Sequence, residues 1–385
     1  MTSATKDQLE ARLHYPQGDA LPEPGHTLVV APGVKWVRMA LPFALDHINL
    51  WLLRDRIDGV DGWTVVDTCI ARNEAKAQWE QIFANELDGL PVLRVLVTHM
   101  HPDHIGLAQW LCERWSGDPG AEPPQAGVSP LGGQRPAQRR SVGACSLWIS
   151  ATDYHMARIG SRSTTGFGGD GAAAFFRAHG LLDPDALEKI RARAGYYPSL
   201  VPGVPDQFRR LLDGQVVPIG GHGWRCIAGY GHAPEHMALY CEALEVLISG
   251  DMVLPRISTN VSVYDVEPES DPLSQFLDSL QRYLPLPPDT LVLPSHGKPF
   301  TGLHERIRQL EEHHDDRLAE VLEACGQRPH SAWEMIPVLF HRPLDLHQST
   351  FAMGESVAHL HRLWFQGRLR RTQDADGVWR FSPQD

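Results

Sequence analysis

Four residues able to bind a metal ion fall within six positions of this chain: His99, His101, Asp103 and His104, in Thr98-His99-Met100-His101-Pro102-Asp103-His104-Ile105-Gly106. His99 and His101 are two apart in extended chain and so project to the same side, where they can share one ion. Asp103 and His104, at the turn into a helix, can face a second position a few ångströms away. Isolated His-x-His pairs carry little weight. A carboxylate and a third imidazole at this spacing argue for chemistry rather than packing. Imidazole and carboxylate donors suit zinc most simply, with iron or manganese also compatible because oxygen donors are present and thiolates are not.

Three more candidates follow later strand-like runs. His232 lies in Gly231-His232-Ala233-Pro234-Glu235-His236, Asp251 closes Ser249-Gly250-Asp251, and His296 sits in Pro294-Ser295-His296-Gly297. Ligand-type residues placed just past buried strands are how layered α/β enzymes assemble a site.

The elements that must position them read as follows. Short β-branched or aromatic runs at 27–31, 34–39, 47–53 and 63–67 are separated by Pro-Gly, Pro-Phe and Asp-Gly punctuation. A helix is expected over 73–87. The run 92–97 is apolar on both faces except at Arg94, as in a strand covered by helices, and it opens into the histidine motif. A helix follows at 104–115. Residues 117–140 are rich in Pro, Gly, Gln and Ala and read as a flexible surface insertion. A strand is expected at 146–150. Residues 152–212 read as a helical cap, with its best helices at 172–179, 184–194 and 206–212. Strands return at 224–228, 239–242, 246–249 and 291–293. Beyond 303, helices at 303–324, 332–340 and 350–366 and a hairpin over 368–381 turning at Asp376-Gly377 give the order of a winged-helix module. The expected division is a catalytic domain over 1–302 and a helical, winged-helix-like domain over 303–385.

Composition narrows the function classes. The 385 residues are 42% hydrophobic and 21% charged, with a formal net charge of -12. That balance disfavours non-specific attraction to nucleic acid or anionic lipid. No apolar run has the length of a transmembrane helix, and the polar first ten residues are not a secretory signal. The six cysteines lack paired spacing, which reads as free thiols in a reducing, cytoplasmic setting. Most of the 20 histidines are read as ordinary surface or loop residues.

Taken together, HxHxDH, a single His in a GHxPxH context, Asp in a strand-ending Gly-Asp and His in PxHGxPF resemble the metallo-β-lactamase superfamily, and more narrowly its glyoxalase II-like and lactonase-like hydrolases. The resemblance runs over about 27–301. It implies a four-layer αββα sandwich with a two-metal centre. His99, His101 and His232 would hold the first ion, and Asp103, His104 and His296 the second. Asp251 would bridge them together with a hydroxide, the nucleophile. Asp103 and Asp251 are thus the candidate catalytic carboxylates, as ligands rather than free general bases, although the one at the second ion could accept a proton on the way out. Asp67, in Val-Val-Asp-Thr, would orient a ligand histidine. The family usually has Gly after that Thr, where this chain has Cys69.

Other residues are weighed against plainer roles. His236, four after His232, reads as a structural neighbour of the ligands. His47 sits on an early strand that could border the site, and Tyr196 and Tyr197 lie in the cap, where related lactonases place a tyrosine near the metals. His313 and His314 read as solvated in a charged helix. The glycine-rich stretch at 166–169 does not run from strand to helix, which argues against a phosphate loop. Arg368 to Arg371 read as a solvated wing.

Carbonyl hydrolysis of a thioester, ester or lactone is the first expectation for a small-molecule substrate. Metal-dependent phosphodiester cleavage, with the tail meeting nucleic acid, is the second. A non-catalytic scaffold is the third and is disfavoured because all seven ligand positions are filled. The sparse leucine stripe of the 303–324 helix would also suit a homodimer.

Overall fold

The computed structural model describes residues 5–116, 144–163 and 168–384. The expected flexible insertion at 117–140 and residues 166 and 167 of the glycine-rich stretch lie outside them.

Alternation along the strands builds two sheets with three apolar layers. The first sheet is β1 (Leu28–Ala31), β2 (Val34–Ala40), β3 (His47–Ile57), β4 (Val60–Val66), β5 (Val92–Leu96), β6 (Ser146–Ile149) and β7 (Phe208–Arg210), in that order. Its first four strands are antiparallel and its last three join in parallel. The second sheet runs β12 (Leu291–Pro294), β11 (Val246–Gly250), β10 (His236–Cys241), β9 (His222–Gly229) and β8 (Val216–Ile219). Successive side chains of a strand point to opposite faces. Trp36 and Trp51, partners across β2 and β3, therefore enter the layer between the sheets with Leu96, Trp224, Met237 and Ile248. Val37, Leu50, Leu52 and Val95 face the other way and pack with α2 (Asn73–Asn85), α4 (Ala108–Arg114) and α5 (Ala151–Gly160). Arg94, the exception in the apolar run of β5, is buried and answered: it donates to Asp55 at 2.7 Å and to Thr64 at 2.8 Å.

The outer face of the second sheet is covered by α9 (Pro272–Gln281) and by the C-terminal helices α10 (Leu303–Gln327), α11 (Ala332–Leu339) and α12 (Leu346–Phe365). The hairpin β13 (Leu369–Gln373) and β14 (Trp379–Pro383) completes the tail, and the αββα sandwich with a small helical and hairpin tail is the fold expected from the motifs. Between β6 and β7 lie α5, α6 (Gly169–Ala178), α7 (Pro184–Arg191) and the short α8 (Tyr196–Leu200). Two local expectations are corrected. Residues 206–212 are not helical: Phe208 to Arg210 pair in parallel with Leu147 to Ile149 as the edge strand of the first sheet. The buried edge of β6 needs backbone partners, and that demand overrides local helical spacing. His314 is fully buried rather than solvated, because α10 packs against α9 and α12 and brings it to His359. Among the described residues no helix is long and apolar enough to cross a membrane.

Candidate metal centre

The ends of β5, β9, β11 and β12 converge on one edge of the sandwich. α3 (Pro102–Ile105) starts directly behind β5, with Pro102 at its first turn, where a missing N–H costs nothing. The seven expected residues meet there. Nε2 of His99, Nδ1 of His101 and Nε2 of His232 form a triangle with sides of 3.0, 3.1 and 3.2 Å. Asp103 Oδ2 lies 3.6 Å from His104 Nε2 and 3.4 Å from His296 Nε2. Asp251 stands between the two groups, with Oδ2 3.3 Å from His232 and Oδ1 3.5 and 3.6 Å from His104 and His296.

The outward nitrogens dictate what the inward ones offer. His232 Nδ1 donates to the Asn260 carbonyl at 2.7 Å and His296 Nδ1 to the His47 carbonyl at 2.7 Å. A carbonyl can only accept, so Nδ1 keeps its proton in both rings and Nε2 is the nitrogen that offers a lone pair to the centre whenever the ring is neutral. His104 Nδ1 is held by Asp67 at 2.8 Å in the same way. The Thr98 hydroxyl donates to Asp67, and its oxygen lies 3.1 Å from His99 Nδ1, free to accept that proton.

Such converging lone pairs and carboxylates repel one another unless positive charge lies among them. His104 Nε2 and Asp251 Oδ1 are buried without a hydrogen-bond partner. Burial and the neighbouring imidazoles push His99 well below its usual range and His101 down to about 3. On the other side burial disfavours charge on His296, but Asp251 and Asp103 outweigh it and carry the imidazole up to about 10. His104 is raised in the same manner, burial being overcome by Asp103, Asp67 and Asp251. Without metal, protons occupy the places where cations belong. The described residues thus offer three ligand groups, His99-His101-His232, His99-His104-Asp251 and Asp103-His104-His296, which together can hold two metal ions. An all-nitrogen-and-oxygen donor set of this kind fits divalent ions such as zinc, iron or manganese.

The other sequence candidates divide. Asp67 touches His104 directly. The His47 side chain accepts from Gly297 N–H at 2.8 Å and donates to Asp46 at 2.6 Å, so it shapes the His296 loop rather than facing the ions. His236 is buried against the back of the cluster, and its Nε2 accepts from Asp251 N–H at 3.3 Å. A Cβ on Gly250, whose φ is +53°, would lie 2.0 Å from that nitrogen, so only glycine lets His236 sit there. Tyr197 points inward and donates to the Met100 carbonyl at 2.5 Å. Tyr196 is partly buried: burial and the Asp103 charge raise its phenol, and its ring lies 5.6 Å from that of His347. His347 in turn approaches Phe43 at 6.3 Å and Phe351 at 5.1 Å.

Three supporting residues escape the sequence reading. Asp153 accepts from Met100 N–H at 2.8 Å and Glu235 N–H at 2.6 Å, clipping two ligand loops together. Asn49 donates to the carbonyls of Pro294 and Gly297 at 2.8 and 3.0 Å and so fixes the His296 loop. Asn260 supplies the carbonyl that orients His232. Each reaches the ligand loops through partners far away in sequence, and no local motif marks that link.

A double sheet with clustered His and Asp residues at one edge is the metallo-β-lactamase type of fold, and the cluster is consistent with a metal-dependent hydrolase site. Residues 44–296 match the metallo-beta-lactamase superfamily, and the chain belongs to it. Residues 318–384 match the metallo-beta-lactamase-like C-terminal domain. A crystal structure of a beta-lactamase domain protein from Burkholderia ambifaria is 52% identical, with a TM-score of 0.85 over 97% of this chain and 99% of that one. A metallo-beta-lactamase family protein from Thermus thermophilus is 25% identical, with a TM-score of 0.68 over 92% of this chain and 100% of that one. The probable metallo-hydrolase YqjP of Bacillus subtilis (strain 168) is 25% identical over 340 residues, 84% of this chain and 90% of that protein.

Proposed function

We propose that this chain is a dinuclear metal-dependent hydrolase acting on a carbonyl, in a thioester, ester or lactone, in the manner of the glyoxalase II-like and lactonase-like enzymes. The observation that carries the reading is Asp251, within 3.6 Å of His104, His232 and His296 and so placed to be shared by two ions. His99, His101 and His232 would hold one ion and Asp103, His104 and His296 the other. Two such ions, when bound, supply water activated as a nucleophile at neutral pH and Lewis-acid polarisation of the carbonyl oxygen.

The chain's own residues do the rest. Asp67 and the carbonyls of His47 and Asn260 hold the ligand imidazoles in one tautomer and one orientation. Asp103, at 19% side-chain exposure the more open of the two carboxylates, would take a proton as product leaves. Tyr196, which feels the Asp103 charge, stands in a group of rings with His347, Phe43 and Phe351, flat and mostly apolar surface that would suit an acyl group.

The phosphodiester alternative would draw on Arg368 to Arg371 in the tail. Of these, Arg371 is already engaged, 4.0 and 4.3 Å from the rings of Trp364 and Trp379 and paired with Glu269 at 2.7 Å. The test is initial rates of zinc- or manganese-loaded protein on an acyl-glutathione thioester, a lactone and an activated phosphodiester. Turnover of either carbonyl substrate alone is expected. Turnover of the phosphodiester alone would overturn the reading.

A further inference from the structure

The segment from Asp251 to Asp271, between β11 and α9, carries both Asp251 and Asn260, and the C-terminal helices grip it. From α10, buried Arg306 donates to the carbonyls of Leu254 and Ile257 at 2.5 and 2.8 Å. From α12, the Gly354 carbonyl accepts from Val263 N–H at 3.1 Å. A Cβ at Gly354 would lie 2.7 Å from the Ser262 side chain, so helix and segment meet at a distance only glycine permits. One residue further on, Glu355 Oε2 accepts from Asn260 Nδ2 at 3.3 Å, while the Ser262 hydroxyl donates to Asn260 Oδ1 at 2.8 Å. Both ends of the Asn260 amide are therefore engaged. Its backbone carbonyl, so fixed, receives the 2.7 Å bond from His232 Nδ1.

We propose that Glu355, on the C-terminal helix α12, is a positioning residue for the first metal position, acting through Asn260 on His232. The bridge is continuous: carboxylate to side-chain amide, the same residue's carbonyl to imidazole, imidazole to the triangle of ring nitrogens. Hydrogen bonds behind a ligand histidine fix its orientation, and their loss typically lowers metal affinity about 10- to 100-fold. Glu355 is one link further out, so the lower end of that range applies. His347, Phe351 and Glu355 follow one another at four-residue spacing, which places them on one side of α12. That side reaches from the rings around His347 to Asn260 behind His232. The tail is thereby part of the metal centre's framework and not an appendage to it. This inference rests on the proposed assignment of His232 as a ligand, though not on any particular substrate.

The test is metal binding by the full chain, read by chelator competition and by the absorption spectrum of the cobalt(II)-substituted protein, with thermal unfolding alongside. Glu355→Ala should weaken one of two ions about tenfold, alter that ion's cobalt spectrum and leave the other ion unchanged. Glu355→Gln, which still offers Asn260 an acceptor, should restore most of the affinity. Asn260→Ala should reproduce the loss, and the double variant should add little to it. Two ions bound by Glu355→Ala as tightly as by the unaltered chain would overturn the proposal alone. So would parallel weakening of both ions together with a lowered unfolding temperature that Glu355→Gln fails to recover. An unaltered chain that binds fewer than two ions would overturn the dinuclear reading itself, and the proposal with it.

Discussion

The Asp67 carboxylate holds His104 from behind, Oδ2 lying 2.8 Å from Nδ1, and with its other oxygen accepts the backbone N–H of Thr98 at 2.8 Å. One side chain at the end of β4 thus sets the ring of a ligand candidate and the start of the loop that carries three more. Asp67 adopts φ +60°, a left-handed conformation that costs a non-glycine residue roughly 1 kcal/mol or more.

Asp67→Ala should therefore do two things. Affinity for one of the two ions should fall about 10- to 100-fold in chelator competition, since His104 loses the partner that fixes its tautomer. Stability to denaturant should fall by about 1–3 kcal/mol, because Thr98 N–H is left buried and unpaired. Unchanged affinity would mean that packing alone orients His104.

Metal binding should release protons at neutral pH. His296, raised to about 10, and His104, also raised, carry protons in the metal-free chain because Asp103 and Asp251 demand positive charge there. A bound ion needs those nitrogens as lone pairs, so it must displace the protons. The sign follows: below the raised values the metal-free form binds more protons than the loaded form, and affinity climbs as pH rises, by about tenfold per pH unit for each proton released. Asp103, held at about 2, is ionised throughout and adds nothing to this dependence. Calorimetry in buffers of differing ionisation enthalpy counts the protons, and a count of zero would sink the argument.

Gly106 is required for space rather than for backbone freedom. A Cβ there would lie 2.6 Å from the Pro102 carbonyl oxygen and 2.7 Å from both the Cys69 carbonyl oxygen and Ile70 Cα. Neither neighbouring backbone can yield without moving α3 or the turn after Asp67. Gly106→Ala should cost about 1–3 kcal/mol in denaturant unfolding and weaken the second ion, since α3 bears Asp103 and His104. Wild-type stability would show that the turn accommodates a methyl group.

How far the site is readable in the sequence follows from distance along the chain. His99, His101, Asp103 and His104 form a short-range pattern, and the three later candidates each end an apolar run, so all seven can be picked out and the sandwich inferred with them. Cys69 departs from the family at a position where glycine is usual, and its φ of +71° is the physical reason glycine is at home there. Asp153, Asn49 and Asn260 are invisible because the partners through which they reach the ligand loops lie 28 to 248 residues away. Residues 206–212 resemble a helix in sequence because a sheet edge, not local spacing, decides their conformation. His314 looks solvated because its covering helix brings its partner from 45 residues on.

Tyr196 and Tyr197 cannot be told apart in sequence, yet the fold gives them different surroundings, and kinetics can separate the roles proposed for them. Tyr197 is buried and donates to the Met100 carbonyl, inside the loop between His99 and His101. Tyr197→Phe leaves that carbonyl without its partner and should cost about 1–2 kcal/mol of stability, with some loss of metal affinity and little change in KM. Tyr196 stands beside the His347 ring and feels the Asp103 charge, where the proposed function puts the substrate. Tyr196→Ala and His347→Ala remove surface worth about 1–3 kcal/mol of substrate contact, so KM should rise roughly 5- to 150-fold while metal content and unfolding temperature hold. If substrate is bound equally in ground and transition states by these rings, kcat stays put as KM rises. A fall in kcat at unchanged KM would instead place Tyr196 or His347 against the reacting group. Loss of metal in either variant would mean that these rings and the metal cluster are not separable parts.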